Sequence, residues 1–163
     1  MTAHVPHTSL DPVRDDAAGL RELGLMLHGS QAVIEFAPDG TVLRANDLFL
    51  DLMGYAPEEV IGQHHRIFCD TAFANSSEYE LFWLGLRSGT AKDGEFKRVA
   101  RDGREVWIRA KYYPVLDGET VTRVIKIAMD VTATKQESIL HEGLLSAISR
   151  AQAVIEFEQG GNC

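Results

Sequence analysis

The chain has few cysteines, a shortage of basic residues and no long apolar run, and each shortage excludes a class of protein. Its two cysteines, Cys69 and Cys163, lie far apart, which excludes a disulfide framework or a CxxC zinc site. The 16 Lys and Arg against 24 Asp and Glu give a net charge of -8, which argues against nucleic-acid binding. No stretch approaches the ~20 apolar residues that span a bilayer, and residues 1–16 lack a secretory signal's apolar core. We expect a soluble, cytoplasmic protein.

Catalytic motifs are also missing. The sequence contains no HExxH, no P-loop, no GxSxG and no GxGxxG after a strand. Its acidic residues cluster at turns and helix starts, where capping and solvation account for them. The composition of the 163 residues suits one domain with flanking helices. We therefore expect a binding or relay module rather than an enzyme.

One hexapeptide occurs twice, which indicates an internal repeat. The sequence QAVIEF at residues 31–36 returns at residues 152–157, with loosely similar apolar residues before each copy. Self-similarity at a fixed offset is typical of a structural unit that is used more than once. We predict a leader and amphipathic helix over 1–28, a sensory domain over 29–134 and an exit helix over 135–151. Residues 152–163 are then the start of a second, truncated copy that ends after its first strand.

The order of the predicted elements is that of an α+β domain with a single antiparallel sheet. Short helices separate two initial strands from three later ones, and Asp102-Gly103 is a strong hairpin signal between the later strands. Capping boxes at Ser77-x-x-Glu80 and Thr134-x-x-Glu137 predict helix starts. The predicted strands are Ala32–Phe36, Thr41–Ala45, Gly94–Arg101, Glu105–Val115 and Val121–Val131, and the predicted helices are 11–28, 46–53, 57–61, 77–87 and 134–150, with one further turn over 64–69.

Several motifs in this order resemble those of PAS domains. They are Asp39-Gly40, Ala45-Asn46, Gly54-Tyr55, the segment EEVIG at residues 58–62, Arg101-Asp102-Gly103 before Val106-Trp107-Ile108, and Asp130-Val131-Thr132. The resemblance covers about residues 29–134 and implies a five-stranded antiparallel sheet with short helices on one face. It also implies sensing in a pocket between sheet and helices.

A narrower resemblance is to the PAS domains of bacterial chemoreceptors, including the aerotaxis receptor and soluble tandem-PAS receptors. It rests on residues 62–66, 79–83 and 103–114. It implies a following PAS repeat and a downstream signalling domain that acts on chemotaxis kinase machinery. Signals would leave through Asp130 and Thr132 into the exit helix. Two apolar helix stripes favour a homodimer, namely Leu20, Leu23 and Leu27 in the leading helix and Leu140, Leu144 and Ile148 in the exit helix. The alternative is a monomeric fragment in which both helices pack within one subunit.

The resemblance implies FAD as the favoured cofactor, with haem b as the alternative. A second functional class is a module that binds no cofactor and serves for dimerisation and signal relay. Trp83 corresponds to a helical tryptophan of the aerotaxis receptor. This chain departs from that family at two places: Phe68-Cys69 occupy the positions of its Arg-His pair, and Lys92 occupies the position of its second tryptophan. In light-sensing PAS relatives, the reactive cysteine stands where this chain has His65, so a cysteine-adduct photocycle is not expected.

The candidate pocket residues are mostly apolar, with a few polar side chains to orient a ligand. Asn46, His65 and Arg66 are the expected polar contacts, and His64 or His65 would serve as metal ligand only if the cofactor were haem. Otherwise the two histidines are surface or pocket-wall residues, since neighbours on a helix cannot jointly chelate one ion. The expected apolar lining is Phe49, Met53, Ile67, Phe68, Trp83, Trp107, Ile108, Tyr112 and Met129.

Overall fold

The computed structural model describes residues 22, 24–26 and 29–159, and those before residue 31 are helical. The strands are β1 (Ala32–Phe36), β2 (Val42–Ala45), β3 (Lys92–Val99), β4 (Glu105–Asp117) and β5 (Thr120–Asp130). The helices are α1 (Asp47–Met53), α2 (Pro57–Val60), α3 (Thr71–Ala74), α4 (Ser77–Arg87) and α5 (Thr132–Gln159), and His65–Phe68 forms a 3₁₀ turn. The predicted α+β order is confirmed. The predicted stripe of Leu20, Leu23 and Leu27 lies outside the described residues.

The strands form one antiparallel sheet in the order β2-β1-β5-β4-β3, as predicted. The last strand of the sheet therefore lies in its centre, where Ala128 of β5 is opposite both Ala32 of β1 and Ala110 of β4. Side chains alternate between the two faces of a sheet, so these three alanines share one face. We call it the inner face, because it is the face that meets the short helices.

The hydrophobic core fills the space between the inner face and the short helices. Alternate residues of each strand point into it, as in Val106, Ile108 and Ala110 of β4, which are buried. The helices contribute Phe49 and Met53 from α1 and other apolar residues from the later turns. This one-sided burial matches the alternation of buried and exposed residues along β4.

One predicted helix cap is wrong by one residue, although the helix bounds 77–87 are correct, and one predicted helix start is wrong by two residues. Helix α4 is capped by Ser76, whose hydroxyl accepts the Tyr79 N–H, so the cap precedes the predicted Ser77. Helix α5 begins at Thr132 rather than Thr134, because the Asp130 carboxylate accepts the Thr132 N–H and satisfies a donor of the first turn. The short helix α3, capped by Asp70, was not predicted at all.

The two copies of the hexapeptide adopt different structures. The first is strand β1, hydrogen-bonded between β2 and β5, whereas residues 152–157 continue helix α5. The prediction of a second strand is therefore wrong for this chain. A strand needs neighbouring strands for its backbone hydrogen bonds, while a helix satisfies them internally. The repeat itself stays a prediction.

Helix α5 exposes apolar residues along much of its described length. Leu140, Leu144 and Ile148, spaced by four residues, are each at least half exposed. An exposed apolar stripe of this kind is typical of helices that pack against another surface. Within the part of the chain that the structure describes, no helix combines the length and apolarity needed to cross a bilayer.

Candidate functional site

A buried histidine lies at the centre of the core. His65, in the 3₁₀ turn, has no exposed surface. Its ring contacts those of Phe36, Trp83 and Tyr112 in edge-to-face geometry, with centroids 5.3 to 5.9 Å away. Tyr79 and Phe82 of α4 stack nearly parallel to it. We call His65, Tyr79, Tyr112, Arg98 and Lys126 the interior cluster.

Hydrogen bonds join every member of the interior cluster except Lys126 into one chain. The Arg98 Nη2 donates to the Tyr112 hydroxyl at 3.1 Å, which leaves that hydroxyl free to donate to His65 Nε2 at 3.2 Å. His65 Nδ1 then carries the proton and donates to the Tyr79 hydroxyl at 3.0 Å. This tautomer is assigned from the network. The Arg98 guanidinium can only donate, and its bond to Tyr112 therefore fixes which group donates at each later hydrogen bond.

The chain continues to the surface through His64. The Tyr79 hydroxyl lies 3.3 Å from His64 Nδ1, and His64 Nε2 donates to the Asp39 carbonyl at 2.8 Å. Gly40 permits this approach, since a Cβ there would lie 2.8 Å from the same Nε2, and its φ is +93°. The network therefore extends from β3 through the core to the turn between β1 and β2.

His65 is neutral in this environment. Burial lowers its pKa well below the ordinary value, and the nearby charges of Arg98, Lys126 and His64 lower it further. Burial likewise raises the pKa of the Tyr112 hydroxyl, although Arg98 opposes that rise. Both groups therefore act as neutral hydrogen-bonding groups at physiological pH.

Two buried cations distinguish this core. Arg98 of β3 is 2% exposed and Lys126 of β5 is fully buried. The Lys126 ammonium lies 5.2 Å from the ring centroids of both Phe49 and Tyr112. Among the described residues, neither Lys126 Nζ nor Arg98 Nε has a hydrogen-bond acceptor. Burial lowers the pKa of Lys126 well below its ordinary value, and Arg98 adds to that effect.

The buried carboxylate of the described chain lies on the other side of the sheet. Glu35 is opposite Ile125 in β5, one residue out of phase with the pair Ile34 and Lys126. Its carboxylate accepts a hydrogen bond from Arg44 and forms an ion pair with Arg123, and neither arginine belongs to the interior cluster. The positive charge of Arg98 and Lys126 is therefore not balanced by Glu35.

The structure brings most of the predicted pocket residues together. The buried set comprises Phe49, Met53, His65, Phe68, Trp83, Ile108 and Tyr112, with Ile67 partly buried beside it. Asn46 lies at the edge of this set, where its side chain caps α1, accepts from Val33 N and donates to the Gln31 carbonyl. That arrangement fixes the start of α1 against β1.

Three predicted residues lie elsewhere. Met129 is 57% exposed and Trp107 is half-buried, because their register positions put them on the outer face of the sheet, away from the helices. Arg66 is exposed, next to the ring of Tyr79 in an open cleft of about 560 Å³ beside α4. The prediction that Met129 and Trp107 line the pocket is wrong.

Trp107 instead belongs to the junction between the sheet and α5. Its backbone N–H donates to the Thr132 hydroxyl at 3.0 Å, and that hydroxyl donates to Asp130 Oδ1 at 2.6 Å. The Trp107 carbonyl accepts from Val131 N at 2.8 Å, and the Lys135 ammonium lies 4.9 Å from the indole centroid. Strand β4 and the first turn of α5 are thus joined through one threonine.

Sequence reasoning missed Arg98 and Lys126. The sequence contained a signal for both. Lys126 lies two residues from the apolar Val124 and Ala128, and Arg98 two residues from Ala100, so that in a strand each shares a face with apolar neighbours. A charged residue at an inward-facing strand position breaks the expected pattern of apolar residues. Such a break is a reason to expect a site.

A planar cofactor does not fit the described side chains as they pack. The position between sheet and helices is filled by His65 and the rings around it, at centroid separations of 5.0 to 6.2 Å. A flavin would require these rings to separate. A haem iron would need a free imidazole nitrogen, but both ring nitrogens of His65 and of His64 are within hydrogen-bonding distance of protein groups.

Comparison with known proteins gives a consistent family assignment. A family profile described as "PAS domain" matches residues 30–133. The chain is 42% identical over 137 residues to the biofilm dispersion protein BdlA of Pseudomonas aeruginosa, covering 83% of this chain and 33% of that protein. It is 24% identical over 119 residues to the aerotaxis receptor of Escherichia coli, covering 73% of this chain and 23% of the receptor. The chain thus spans a third or less of these relatives.

Solved structures of similar fold include an RNA-binding light-oxygen-voltage receptor. That chain superposes with a TM-score of 0.67 at 25% identity, over 84% of this chain and 40% of the receptor. A PAS domain from Colwellia psychrerythraea superposes with a TM-score of 0.60 at 20% identity, over 70% of this chain and 98% of its own length. The second likeness shows the fold alone.

Proposed function

The chain belongs to the PAS domain family, and from that premise we propose that it is the sensory module of a bacterial signalling protein of the chemoreceptor class. It acts in the cytoplasm and detects an occupant of the interior cluster. It passes that state through α5 to a following PAS repeat and to chemotaxis kinase machinery. Its similarity to BdlA and to the aerotaxis receptor supports this class of protein.

The observation that carries the proposal is the junction at Thr132. The threonine hydroxyl bonds both to the backbone of β4 at Trp107 and to the Asp130 side chain at the end of β5. Arg98 of the interior cluster is opposite Val106, the residue before Trp107 in β4. A shift of β3 and β4 upon a change inside the core would therefore move the first turn of α5.

The resemblance favours FAD as the occupant, with haem b as the alternative and redox state or oxygen as the stimulus. Flavin would supply reversible electron transfer that a protein side chain cannot. A solved light-oxygen-voltage domain described with a flavin analogue has a similar fold, at 21% identity. The packing around His65 opposes either cofactor unless the aromatic rings move.

An absorbance spectrum and hydrogen exchange test the proposal. A visible flavin band or a haem Soret band in the purified protein would identify the cofactor, and a colourless protein after reconstitution with both would exclude these two. Independently, any occupant of the core should change amide exchange at the start of α5. Occupancy that leaves α5 exchange unchanged would contradict the sensory relay.

A second candidate function is a cofactor-free module for dimerisation and relay. Two observations favour it: the filled aromatic core and the exposed apolar stripe of α5. In this case signals would arrive from a neighbouring domain and pass through the dimer. The same exchange experiment separates the two candidates, because this one predicts no response to any small molecule.

A further inference from the structure

The interior of the domain holds two basic side chains, Arg98 and Lys126, that form no ion pair with a carboxylate of the described residues. Burying a basic group is costly unless it is paired, so two such groups without an acidic partner are unusual in a core. Arg98 and Lys126 come from different strands, and both contact Tyr112, one at its hydroxyl and the other over its ring. Their side chains therefore converge on one region of the inner face.

Each cation has unused donor capacity there. Arg98 Nη1 donates to the Lys97 carbonyl at 2.7 Å and Nη2 to Tyr112, while Nε has no acceptor among the described residues. Lys126 Nζ has no acceptor either, and its contacts are with the rings of Phe49 and Tyr112. Buried polar groups almost always have hydrogen-bond partners, so unsatisfied donors of this kind indicate a ligand with acceptor atoms.

We propose that Arg98 and Lys126 bind a small carboxylate inside the domain, with the apolar part of the ligand against the rings of Phe49 and Tyr112. A planar carboxylate matches the guanidinium geometry and can accept from Arg98 and Lys126 together. The surrounding aromatic rings favour a compact ligand with an apolar body. This proposal deepens the proposed sensory function, on which it rests, by naming the chemical class of the signal.

A groove leads from the surface to Arg98. It has a volume of about 340 Å³ and is lined by Phe73 and Phe82 on the helix side and by Phe96 and Arg98 on β3. Its wall also carries Lys97 and the acidic side chains Asp70, Glu78 and Glu95. The Arg98 guanidinium lies 5.0 Å from the Phe96 ring centroid and 5.7 Å from that of Phe73. A carboxylate could thus reach Arg98 first and Lys126 after rearrangement of the rings between them.

Proton uptake should accompany binding. Burial and Arg98 lower the pKa of Lys126, and the other titratable groups that face it, Tyr112, His65 and Cys69, are neutral. A carboxylate favours the ammonium form, so binding takes up a proton at pH values between the lowered pKa of Lys126 in the free protein and its higher pKa in the complex. Affinity should then fall about tenfold per pH unit within that window. Calorimetry in buffers of different ionisation enthalpy measures this uptake.

The test uses the full chain with acetate, propionate and benzoate, and with acetamide, propionamide and benzamide as neutral controls at constant ionic strength. We expect at least one carboxylate to raise the melting temperature and to bind in calorimetry, and the amides to do neither. Inorganic phosphate is the control for a general oxyanion. No binding by any carboxylate, or equal binding by the amides or by phosphate, would overturn the proposal.

Two variants locate the site. Lys126→Met, which retains an apolar body in the core, should weaken carboxylate binding by at least about thirtyfold, the ratio expected on removing one partner of a buried charge pair. Lys111→Met, on the exposed side of β4, should bind like the wild type. Equal binding by the Lys126 variant would refute the assignment. Carboxylate binding without a change in α5 exchange would uphold this site and contradict the proposed relay instead.

Discussion

At the scale of the residue, Lys126 lowers the stability of the ligand-free domain. Its buried amine lacks a hydrogen-bond acceptor among the described residues, and burial disfavours its charged form. We predict that Lys126→Met raises the free energy of unfolding by about 1–3 kcal/mol at neutral pH, the cost of one unsatisfied buried polar group. Denaturant titration measures the change, and Lys111→Met is the exposed control.

The gain from Lys126→Met should depend on pH in a defined direction. The folded-state pKa of Lys126 lies below the ordinary value of 10.5. Between these two pKa values the unfolded state binds more protons, so wild-type stability rises with pH through that window. The advantage of the variant is therefore largest at low pH and shrinks towards pH 10.5. An advantage that grows with pH would contradict this assignment.

His65 should control stability on the acid side. Its pKa is lowered well below 6.5, so acidification below 6.5 adds a proton to the unfolded state before the folded one and destabilises the fold. We predict that His65→Phe loses this acid sensitivity. It should also lose about 1–3 kcal/mol at neutral pH, because the Tyr79 hydroxyl loses a donor and the Tyr112 hydroxyl loses an acceptor.

Denaturation curves at several pH values test the His65 prediction. His141→Phe is the matched control, because His141 is exposed on α5. If the acid sensitivity persists in His65→Phe and disappears in His141→Phe, His65 is not its source.

At the scale of the element, the start of α5 depends on one hydroxyl. We predict that Thr132→Val frees the Trp107 N–H from its acceptor and destabilises the domain by about 0.5–2 kcal/mol, the range measured for lost helix caps. Amides in the first turn of α5 should exchange faster, while those in the central strand β5 keep their protection. Thr134→Val, the same change two residues later, should alter neither. Faster exchange throughout the sheet would mean global destabilisation rather than a local junction.

At the scale of the whole molecule, the exposed stripe of α5 predicts a homodimer. Leu144 and Ile148 are each about half exposed and lie on one side of the helix. We predict that the wild type sediments as a dimer and that Leu144→Glu combined with Ile148→Glu sediments as a monomer, because charges at a buried interface are costly. Ser146→Glu adds a charge on the opposite side of α5 and should stay dimeric, whereas Leu144→Glu alone should already weaken the dimer. A monomeric wild type would refute the interface.

The sequence alone determined the elements and the class of fold. Strand alternation, the Asp102-Gly103 hairpin signal and the ordered PAS motifs depend on local chemistry, which each segment carries wherever it lies. The predicted five-stranded antiparallel sheet is confirmed for this reason. The predicted cap of α4 and the predicted start of α5 were less accurate, since Ser76 and Ser77, or Thr132 and Thr134, offer similar capping chemistry one or two residues apart.

Only the tertiary structure decided which side chains share the interior. Trp107 and Met129 suit a pocket by residue type, but strand register puts both on the outer face. Register also puts Lys126 of β5 and Arg98 of β3 on the same face of the sheet as Tyr112, on the two strands that flank β4, although they are far apart in sequence. Tertiary structure also decided the conformation of the two QAVIEF copies, of which the first is a strand and the second is helical. Identical residues form a strand only where the fold supplies neighbouring strands for their backbone hydrogen bonds.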